Sequence, residues 1–414
     1  MPPHPGTGGG TPPALDMGTA DLAYLRATGG TPLPLAFVFR FDGRAPTLDA
    51  VRARVAERAP HVPALRYRLA RDRGQACRED RLSVERHVHE ARLPEDTDGA
   101  GAARLMLRRP MGGDDRPPWD VWLVHGPDGG HSLCYRTDHT FQDGVGAAHT
   151  ARALLDDHAY GGGPAARPRA RPTLTGLADT LADVAGTFRA PAAKPGFDGP
   201  FGGRPGVCQA EIPLARLRTV GRANDATVND VYLAALAHAV HVWHMKETGT
   251  AHPPLPVAVP MSVRAPGEEH APGNHMVTAR LLLPCDVPSP RDALTRITAA
   301  TGRLRRTRRR DAVRLLLDAT PRALGARLGT RLVNGTVVAG PASSVDFGTA
   351  LVHGGAPSRR AAVFSGLTAG IRFLTTLTGQ HDAACLTVVH DETLSALDEI
   401  PELWLAAVWE LERD

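Results

Sequence analysis

A long stretch rich in proline and glycine divides this 414-residue chain into two halves of ordinary domain size. It runs over residues 161–205 and contains one short amphipathic segment, TLTGLADTLADVAGTF. Because proline and glycine interrupt both helices and strands, we expect a linker here. The linker would separate an N-terminal lobe at residues 15–160 from a C-terminal lobe at residues 206–414. Residues 1–14, also rich in Gly and Pro, are expected to form a flexible tail.

Both halves alternate strand-like and helix-like segments. Apolar runs at residues 119–126 and 131–139 flank the turn sequence PDGG, which indicates a β-hairpin. In the second half, Thr227 and Asp230 form a capping-box pattern at the start of a long apolar helix. Residues 290–317 are predicted as one helix that includes a basic segment. The pattern predicts two layered α/β domains.

Composition and charge exclude several classes of protein. The 48 basic residues nearly balance the 44 acidic ones, which is not typical of a nucleic-acid-binding protein. There is no run of about 18 apolar residues, so we expect no transmembrane helix, and the first residues lack the pattern of a signal peptide. The five cysteines are scattered, with no pair at metal-ligand spacing. We therefore expect reduced thiols in a cytoplasmic protein and no metal site.

The segment most informative about chemistry reads YRTDHTFQDG at residues 135–144. His139 ends a predicted strand and precedes a helix, a place where α/β folds display reactive groups. Its imidazole titrates near neutral pH and can remove a proton from a hydroxyl or an amine. Asp143 can fold back toward the same strand or anchor elsewhere, and Gly144 allows a backbone conformation that a Cβ would hinder. Taken alone, this spacing fits a hydrogen-bonded structural histidine equally well.

Within this segment, DHTFQDG resembles the HHxxxDG motif of the CoA-dependent acyltransferase superfamily. In that superfamily it is most similar to the bacterial wax ester synthase/diacylglycerol acyltransferase-like family. Further segments resemble this family in the same order, from about residue 15 to about residue 277: LDMGTADLAYLRATGGTPLPLAFVFRFDG, APHVPALRYRL, RPPWD, ATVND and VPMSVRAPGEEHAPGNHMV. The resemblance implies an α/β fold of two chloramphenicol-acetyltransferase-like lobes, each a mixed sheet with helices, with a tunnel between them.

The resemblance also implies roles for individual residues. His139 is expected to act as the general base. Asp143 is expected to shape its loop by pairing with an arginine, for which Arg264 is the candidate, because a buried charge needs a countercharge. Gly144 is expected to keep the channel of the acyl donor open beside His139.

Five more residues are candidates for the tunnel wall or for substrate contacts. They are Trp119, Asn229, Asp230, Gly273 and Asn274. A structural role is already sufficient for two of them, since Asp230 fits a helix cap and Trp119 is typical of a packed core.

The chain departs from the family pattern at two places. Asp138 replaces the first histidine of the motif, and an ionised carboxylate there would raise the pKa of His139. Residues 343–348 resemble the family's later NVPGP-like element only loosely. Acyl transfer is therefore the firmer expectation, and the storage-lipid acceptor is the weaker one.

These expectations describe a direct acyl transfer. His139 would deprotonate an alcohol, which attacks a thioester carbonyl without an acyl-enzyme, and the absence of a GxSxG motif agrees with this. Acyl-CoA or an acyl-carrier thioester would be a co-substrate rather than a resident cofactor. The acceptor would be a small-molecule or lipid alcohol. An acyl carrier protein and a peripheral membrane contact stay open as partners, nucleic acid is not expected, and the acyl length is not specified.

Several alternatives stay open. One is an amide-forming or tailoring condensation-like acyltransferase of secondary metabolism, and another is a non-catalytic binding member of the fold. A metal site could use Asp138, His139, Asp143 and His149, although their spacing matches no standard zinc signature. The sequence GVGAAH is a partial dinucleotide-binding pattern. The arginine-rich segment 303–310 is either a solvated helix face or a contact for lipid, CoA phosphates or a carrier protein.

Overall fold

The protein is described from a computed structural model. The described residues are 14–158, 164, 166–186, 188, 193–368, 370–394 and 396–413. Residues 1–13 of the expected tail, and the start of the expected linker at residues 161–163, lie outside the described residues. Ala14, which we assigned to the tail, is the first residue of a strand.

The strands and helices follow in chain order. The strands are β1 (Ala14–Asp16), β2 (Pro34–Phe41), β3 (Tyr67–Ala70), β4 (Gln75–Arg78), β5 (Val88–Arg92), β6 (Trp119–His125), β7 (His131–Asp138), β8 (Pro205–Pro213), β9 (Leu255–Ser262), β10 (Met276–Leu283), β11 (Ala342–Asp346), β12 (Val352–His353), β13 (Ala356–Pro357), β14 (Arg360–Ser365), β15 (Phe373–Gln380) and β16 (Ala383–Asp391). The helices are α1 (Thr19–Ala27), α2 (Leu48–Arg58), α3 (Gly101–Arg108), α4 (Gly144–Leu155), α5 (Leu174–Gly186), α6 (Leu214–Ala223), α7 (Val228–Thr248), α8 (Pro290–Arg306), α9 (Arg309–Ala319), α10 (Arg322–Val333) and α11 (Ile400–Arg413).

The sheet of the N-terminal lobe has the strand order β14, β2, β7, β6, β5. Neighbouring strands are antiparallel except β5 and β6, which are parallel. The predicted hairpin is confirmed as β6 and β7, with Trp119 opposite Thr137 and His125 opposite His131. One face of β2 packs its phenylalanines against α2 and α4 in a buried core. This packing fixes the end of β7, where the informative segment begins.

The sheet of the C-terminal lobe has the order β11, β15, β16, β8. The long helix α7 packs with α8 and α11 in its core. The predicted capping box is present, since the Thr227 hydroxyl accepts from the Asp230 amide at 3.2 Å. The Asp230 carboxylate in turn accepts from the Thr227 amide at 2.8 Å. Local sequence thus sets the start of this helix.

One strand of the N-terminal sheet comes from the C-terminal half of the chain. β14 pairs with β2 along its length, from Arg360 opposite Arg40 to Ser365 opposite Leu35. A division at residue 205 therefore does not describe residues 360–365, and the other domain boundaries stay predictions. The sequence RAAVFS indicates a buried strand but does not specify a sheet, because partner choice depends on tertiary packing.

The helix predicted at residues 290–317 is in fact two helices. α8 ends at Arg306 and α9 begins at Arg309, with Arg308 in the left-handed region at a φ of 52°. The cause is contact with the linker: the Thr173 hydroxyl donates to the Thr307 carbonyl at 3.0 Å, and a Cβ on Gly176 would lie 2.1 Å from that carbonyl oxygen. The prediction of a single helix was wrong, because this contact lies outside the helix's own sequence.

The arginine-rich segment anchors the linker helix α5. Arg303 pairs with Asp179 at 2.8 Å, and the buried Arg309 pairs with Asp183. The guanidinium of Arg308 donates to the Arg171 carbonyl at 2.9 Å. These side chains are therefore engaged with residues 168–186 rather than forming a simple solvated face.

Candidate active site

His139 lies directly after β7, and its ring forms part of a cavity wall. Its amide donates to the Leu33 carbonyl at 2.8 Å, and its own carbonyl accepts from the Asn274 side chain at 2.8 Å. Its Nε2 lies 3.4 Å from the Tyr24 hydroxyl, a long contact, and Nδ1 has no hydrogen-bond partner among the described residues. The backbone is held firmly, whereas neither ring nitrogen makes a strong hydrogen bond among the described residues: Nδ1 is buried without a partner and Nε2 has only the long contact with Tyr24.

The pKa of His139 is lowered from its ordinary value, chiefly because burial disfavours the charged ring. The charges of Asp143 and Asp138 act in the opposite direction but do not reverse the shift. Asp138 therefore raises the pKa of His139 as expected, but burial lowers it by more. A lowered pKa keeps the ring neutral near pH 7, the form that accepts a proton.

Asp138 turns its carboxylate away from this ring. One oxygen pairs with Arg71, and the other accepts from the amides of Leu33 and Thr140 at 3.2 and 2.9 Å. The side chain is fully buried. The residue that replaces the first histidine of the motif is therefore a paired structural carboxylate.

Asp143 makes the predicted contact with Arg264. The Arg264 guanidinium donates to the carboxylate at 2.8 Å from Nη2, and the amides of Gly146 and His275 donate at 2.8 and 2.7 Å. Burial alone would raise the pKa of Asp143, but the Arg264 charge and these hydrogen bonds hold it below its usual value. The carboxylate also caps α4. It therefore joins β7, α4 and the loop after β9.

Arg264 is itself fully buried, and backbone carbonyls satisfy the rest of its guanidinium. It donates to the carbonyls of Glu268, Ala271 and Gly273 at 2.8 to 2.9 Å. The pair thus has both charge balance and saturated hydrogen bonds, which is what a buried ion pair requires.

The glycine that this ion pair requires is Gly146 rather than Gly144. A Cβ on Gly146 would lie 2.4 Å from Arg264 Nη2, a severe overlap. A Cβ on Gly144 would lie 3.8 Å from Val345 Cγ2, an ordinary contact, although Gly144 does line the cavity. The sequence analysis noted Gly146 only in the dinucleotide-like pattern and missed this packing role.

Two residues of α1 that sequence reasoning missed complete the surroundings of His139. The ring of Tyr24 stacks on the imidazole, with centroids 4.4 Å apart. Asp21 accepts from both the amide and the side chain of Asn274 at 2.8 Å, and its burial raises the pKa to about 6. Their spacing of three puts both on one helix face, but nothing in the sequence indicates that this face covers His139.

The cavity beside His139 lies where the two lobes meet. Its wall includes Tyr24, Leu35 and Val145 from the first half of the chain and Met276 and Leu374 from the second. Hydroxyl groups lie on the same wall, from Ser262, Thr278, Ser343, Ser344, Ser365, Thr368 and Thr376. A mostly apolar chamber with a few polar groups and one perturbed imidazole is typical of a small-molecule site.

A second cavity adjoins the first. Both are lined by Tyr24, Met276, Thr278, Leu332 and Val333, which therefore form a shared wall. The remaining wall of the second cavity comes mainly from α1, α5, α9, α10 and β10 and is largely aliphatic.

Three of the tunnel candidates lie elsewhere. Trp119 is buried in the core of the N-terminal lobe, stacked on His87, with its indole N–H donated to the Leu65 carbonyl at 2.9 Å. Asp230 is buried as the cap of α7 and accepts from Thr301 at 2.6 Å, and Asn229 follows the same helix start. Within the described part of the chain, none of these candidates lines either cavity. Trp119 thus serves core packing and Asp230 serves as a helix cap.

Gly273 and Asn274 lie behind His139 rather than on the cavity wall. Gly273 adopts a φ of 90°. Its amide donates to the Phe141 carbonyl at 3.0 Å, and its carbonyl accepts from the Arg264 guanidinium. Asn274 bridges Asp21 and the His139 carbonyl. Both residues therefore help to hold the backbone of His139 in place.

The four residues considered as a metal site point in different directions. Asp138 faces Arg71, Asp143 faces Arg264, and His149 Nε2 lies 3.1 Å from the Pro164 carbonyl. Among the described residues, these four do not form a group that could hold a metal ion. Likewise, no helix of the described chain is both long enough and apolar enough to cross a membrane.

The chain also matches known proteins over the segment that contains this site. The family model of the wax ester synthase/diacylglycerol acyltransferase catalytic domain matches residues 35–196, which include His139 and Asp143. Residues 35–196 of this chain are therefore similar to the catalytic domain of the wax ester synthase/diacylglycerol acyltransferase family. The predicted family resemblance is therefore confirmed.

Curated relatives from Mycobacterium tuberculosis H37Rv agree with this family. One, provisionally named a diacylglycerol O-acyltransferase, is 29% identical over 219 residues, 44% of this chain and 46% of that protein. Another with the same provisional name is 26% identical over 304 residues, 61% of this chain and 59% of that protein. The chain thus spans about half the length of the curated relatives it matches.

Solved structures confirm the two-lobed fold. The wax ester synthase/diacylglycerol acyltransferase from Marinobacter aquaeolei VT8 superimposes with a TM-score of 0.66 at 19% identity, over 96% of this chain and 99% of that one. The starter condensation domain of rhizomide synthetase, solved with C8-CoA, gives a TM-score of 0.64 at 13% identity, over 97% and 95%. The predicted pair of chloramphenicol-acetyltransferase-like lobes is confirmed.

Proposed function

We propose that this protein transfers an acyl group from a CoA thioester to an alcohol, with His139 as the general base. The observation that carries the proposal is the position of His139. Its ring lies at the end of β7, on the wall of a cavity between the lobes, with a lowered pKa and one unpartnered nitrogen. Such a group accepts protons at neutral pH.

The reaction then proceeds in two steps. The imidazole removes the proton of the acceptor hydroxyl while its oxygen attacks the thioester carbonyl, which gives a tetrahedral oxyanion. The oxyanion collapses, the C–S bond breaks, and the imidazolium returns the proton to the departing thiolate. The products are an ester and a free thiol, and the histidine is regenerated. Ser343 and Thr376 line the same cavity, and we propose their hydroxyl groups as donors to the oxyanion.

Asp143 and Arg264 act as positioning residues in this proposal. Their ion pair fixes the loop after β7 to the loop after β9. Gly273 and Asn274 belong to the same support, because Asn274 binds the His139 carbonyl directly. Precise placement of a base contributes substantially to rate, so the support matters even without contact with substrate.

The second cavity favours a substrate that carries an alkyl chain. It shares a wall with the His139 cavity, and its lining is largely aliphatic. Leu181 of α5 lines it and is also 57% exposed, and Leu174 on the same helix is 86% exposed. We propose that a long-chain substrate enters beside α5 from a lipid surface that the protein contacts peripherally in the cytoplasm.

The choice of CoA over a carrier protein rests on the neighbouring fold. The starter condensation domain was solved with C8-CoA, and the curated relatives are named for a diacylglycerol acceptor. An acyl carrier protein as donor and an amine as acceptor are therefore kept as arms of the test.

The test incubates the purified full chain with acyl-CoAs of short, medium and long chain. Long-chain alcohols, diacylglycerol and amines serve as acceptors. Free thiol is followed with a thiol reagent, and the product by mass spectrometry. We expect thiol release that depends on an alcohol and gives an ester. Amide products would show that the acceptor is an amine rather than an alcohol. Turnover only with a carrier-bound donor would show that the donor is not acyl-CoA. Equal turnover by His139→Ala would refute the assignment of the base.

A lipid-surface arm uses vesicles of neutral and anionic phospholipid. We expect the wild-type chain to co-sediment with vesicles, and the double change Leu174→Ser and Leu181→Ser to weaken this. Equal sedimentation of the two proteins would refute the contact through α5.

A further inference from the structure

A cluster of metal-ligand side chains lies on the C-terminal sheet, outside both cavities. It consists of Cys208 on β8, His390 on β16 and Asp398 in the single helical turn Leu397–Glu399 that precedes α11. One potential ligand atom of each lies within 4.8 Å of the other two. These residues come from three separate elements, so no sequence spacing indicated them.

Both ring nitrogens of His390 face oxygen acceptors, and one of these oxygens belongs to Asp398. Its Nδ1 lies 3.1 Å from the Asp391 carbonyl oxygen, and its Nε2 lies 3.0 Å from Asp398 Oδ1. Both oxygens are acceptors. When Nδ1–H donates to the carbonyl, the contact between Nε2 and the carboxylate needs either a proton on Nε2 or a cation that binds both groups. A histidine that donates its other N–H to a carbonyl is typical of a metal ligand.

The thiol of Cys208 lies beside His390 and Asp398 and makes only weak hydrogen bonds to backbone carbonyls. Its hydrogen bonds to the carbonyls of Leu397 and Val388 are long, at 3.7 and 4.0 Å, and the thiol also interacts with the Asp398 side chain. A Cβ on Gly206 would lie 2.7 Å from His390 Nε2, so the absence of a side chain there leaves room for the ring. Backbone carbonyls are poor competitors for a metal that prefers thiolate sulfur.

Asp398 gives the cluster an open side. Its side chain is 76% exposed, and among the described residues its ion-pair partner is His390, with no arginine or lysine in that place. An ion can therefore enter from solvent and find an available carboxylate, instead of displacing a guanidinium.

We propose that Cys208, His390 and Asp398 bind one divalent transition-metal ion, with Zn²⁺ as the expected occupant. A sulfur, a nitrogen and an oxygen ligand fit the tetrahedral preference of Zn²⁺ and leave the fourth position for water. On binding, the thiol releases its proton to solvent and a metal–thiolate bond forms. The ion joins β8, β16 and the turn before α11, and so it fastens the C-terminal helix to its sheet.

The test uses Co²⁺ as a probe on the untagged full chain after chelation. We expect one Co²⁺ per chain, with a near-ultraviolet thiolate-to-cobalt band and visible bands of tetrahedral cobalt. Cys208→Ser removes the thiolate band, whereas the matched change Cys77→Ser at another half-buried cysteine leaves it intact. We also expect stoichiometric Zn²⁺ to raise Tm in the wild type and not in His390→Ala.

Asp398→Asn keeps the proposal testable if the buried variants fail to fold, because this side chain is largely exposed. We expect it to bind Co²⁺ at least about tenfold more weakly, as loss of a ligand requires. Absence of the thiolate band in the wild type, or an unchanged affinity in Asp398→Asn, would overturn the site. Neither readout depends on acyl transfer.

Discussion

Two strands hold comparable places in the two lobes and end in the same two residue types. β7 lies between β2 and β6, and β16 lies between β15 and β8. β7 ends at Asp138, which His139 follows, and β16 ends with His390 and Asp391. Each strand is the second member of a hairpin. At each strand end, the residues packed around the histidine decide what its imidazole can do.

The aspartates behave alike in the two lobes. Asp138 pairs with Arg71, and Asp391 pairs with Arg372 at 2.9 Å. Both carboxylates also accept backbone amides. The aspartate at each strand end is thus a buried structural charge with its own arginine.

The histidines differ. His139 stacks on Tyr24 at a cavity wall with one nitrogen unpartnered among the described residues, whereas both nitrogens of His390 face oxygen atoms. A helix face covers the first ring, and a polar turn covers the second. The same strand end therefore provides an available base in one lobe and a ligand-type imidazole in the other.

The largest expected effect is at the end of β7. His139→Ala is expected to lower kcat/KM by about 10²- to 10⁴-fold, the usual contribution of a general base. It should leave Co²⁺ binding unchanged, because the two histidines lie in different lobes. The exposed His61→Ala is the matched control and should retain wild-type activity. Loss of cobalt binding in His139→Ala would show that the two strand ends are not independent.

The next effect concerns stability at both strand ends. Asp143→Asn leaves Arg264 buried without its countercharge and is expected to cost about 3–5 kcal/mol of unfolding free energy. Asp391→Asn removes the corresponding charge beside Arg372 and should also destabilise the fold. Urea unfolding measures both. Activity at a temperature where both variants are folded distinguishes them, since only Asp143→Asn should lower kcat. Equal loss of kcat in the two would remove the positioning role of Asp143.

A smaller effect separates two glycines of the same helix. Gly146→Ala is expected to cost about 1–3 kcal/mol, because its Cβ overlaps the Arg264 guanidinium. Gly144→Ala makes only an ordinary contact with Val345 and should keep stability near that of the wild type. Its effect should appear in KM, because its methyl group enters the cavity. Thermal unfolding and steady-state kinetics of the two variants would show whether the ion pair constrains Gly146 and the cavity constrains Gly144.

The smallest effect is a shift in pH dependence. A lowered pKa keeps His139 neutral, and therefore active, at pH values below the ordinary imidazole pKa of about 6.5. The acid limb of kcat/KM is thus expected below that value. Asp138→Asn removes a charge that favours the imidazolium, so it should move the limb to still lower pH. A limb above pH 7 in the wild type would contradict the effect of burial.

Local patterns predicted much of the fold and part of the site. The turn PDGG predicted the hairpin of β6 and β7, and Thr227 with Asp230 predicted the start of α7, because each signal lies within a few residues. The family resemblance placed the Asp143–Arg264 contact correctly. It also suggested Trp119 and Asp230 as tunnel residues, and the structure uses the first in core packing and the second as a helix cap. A motif that aligns in order does not fix which residue faces a cavity.

The sequence by itself determined the two α/β halves, the strand end that carries His139 and the family resemblance. Those features depend on residues close together in the chain or on ordered motifs. Only the tertiary structure decided that β14 crosses to the other lobe, that α1 covers the imidazole with Tyr24, and that the linker breaks the helix at Arg308. Only the structure brought Cys208, His390 and Asp398 together. These features depend on packing between distant segments, where many partners satisfy the same local pattern and the whole fold selects one.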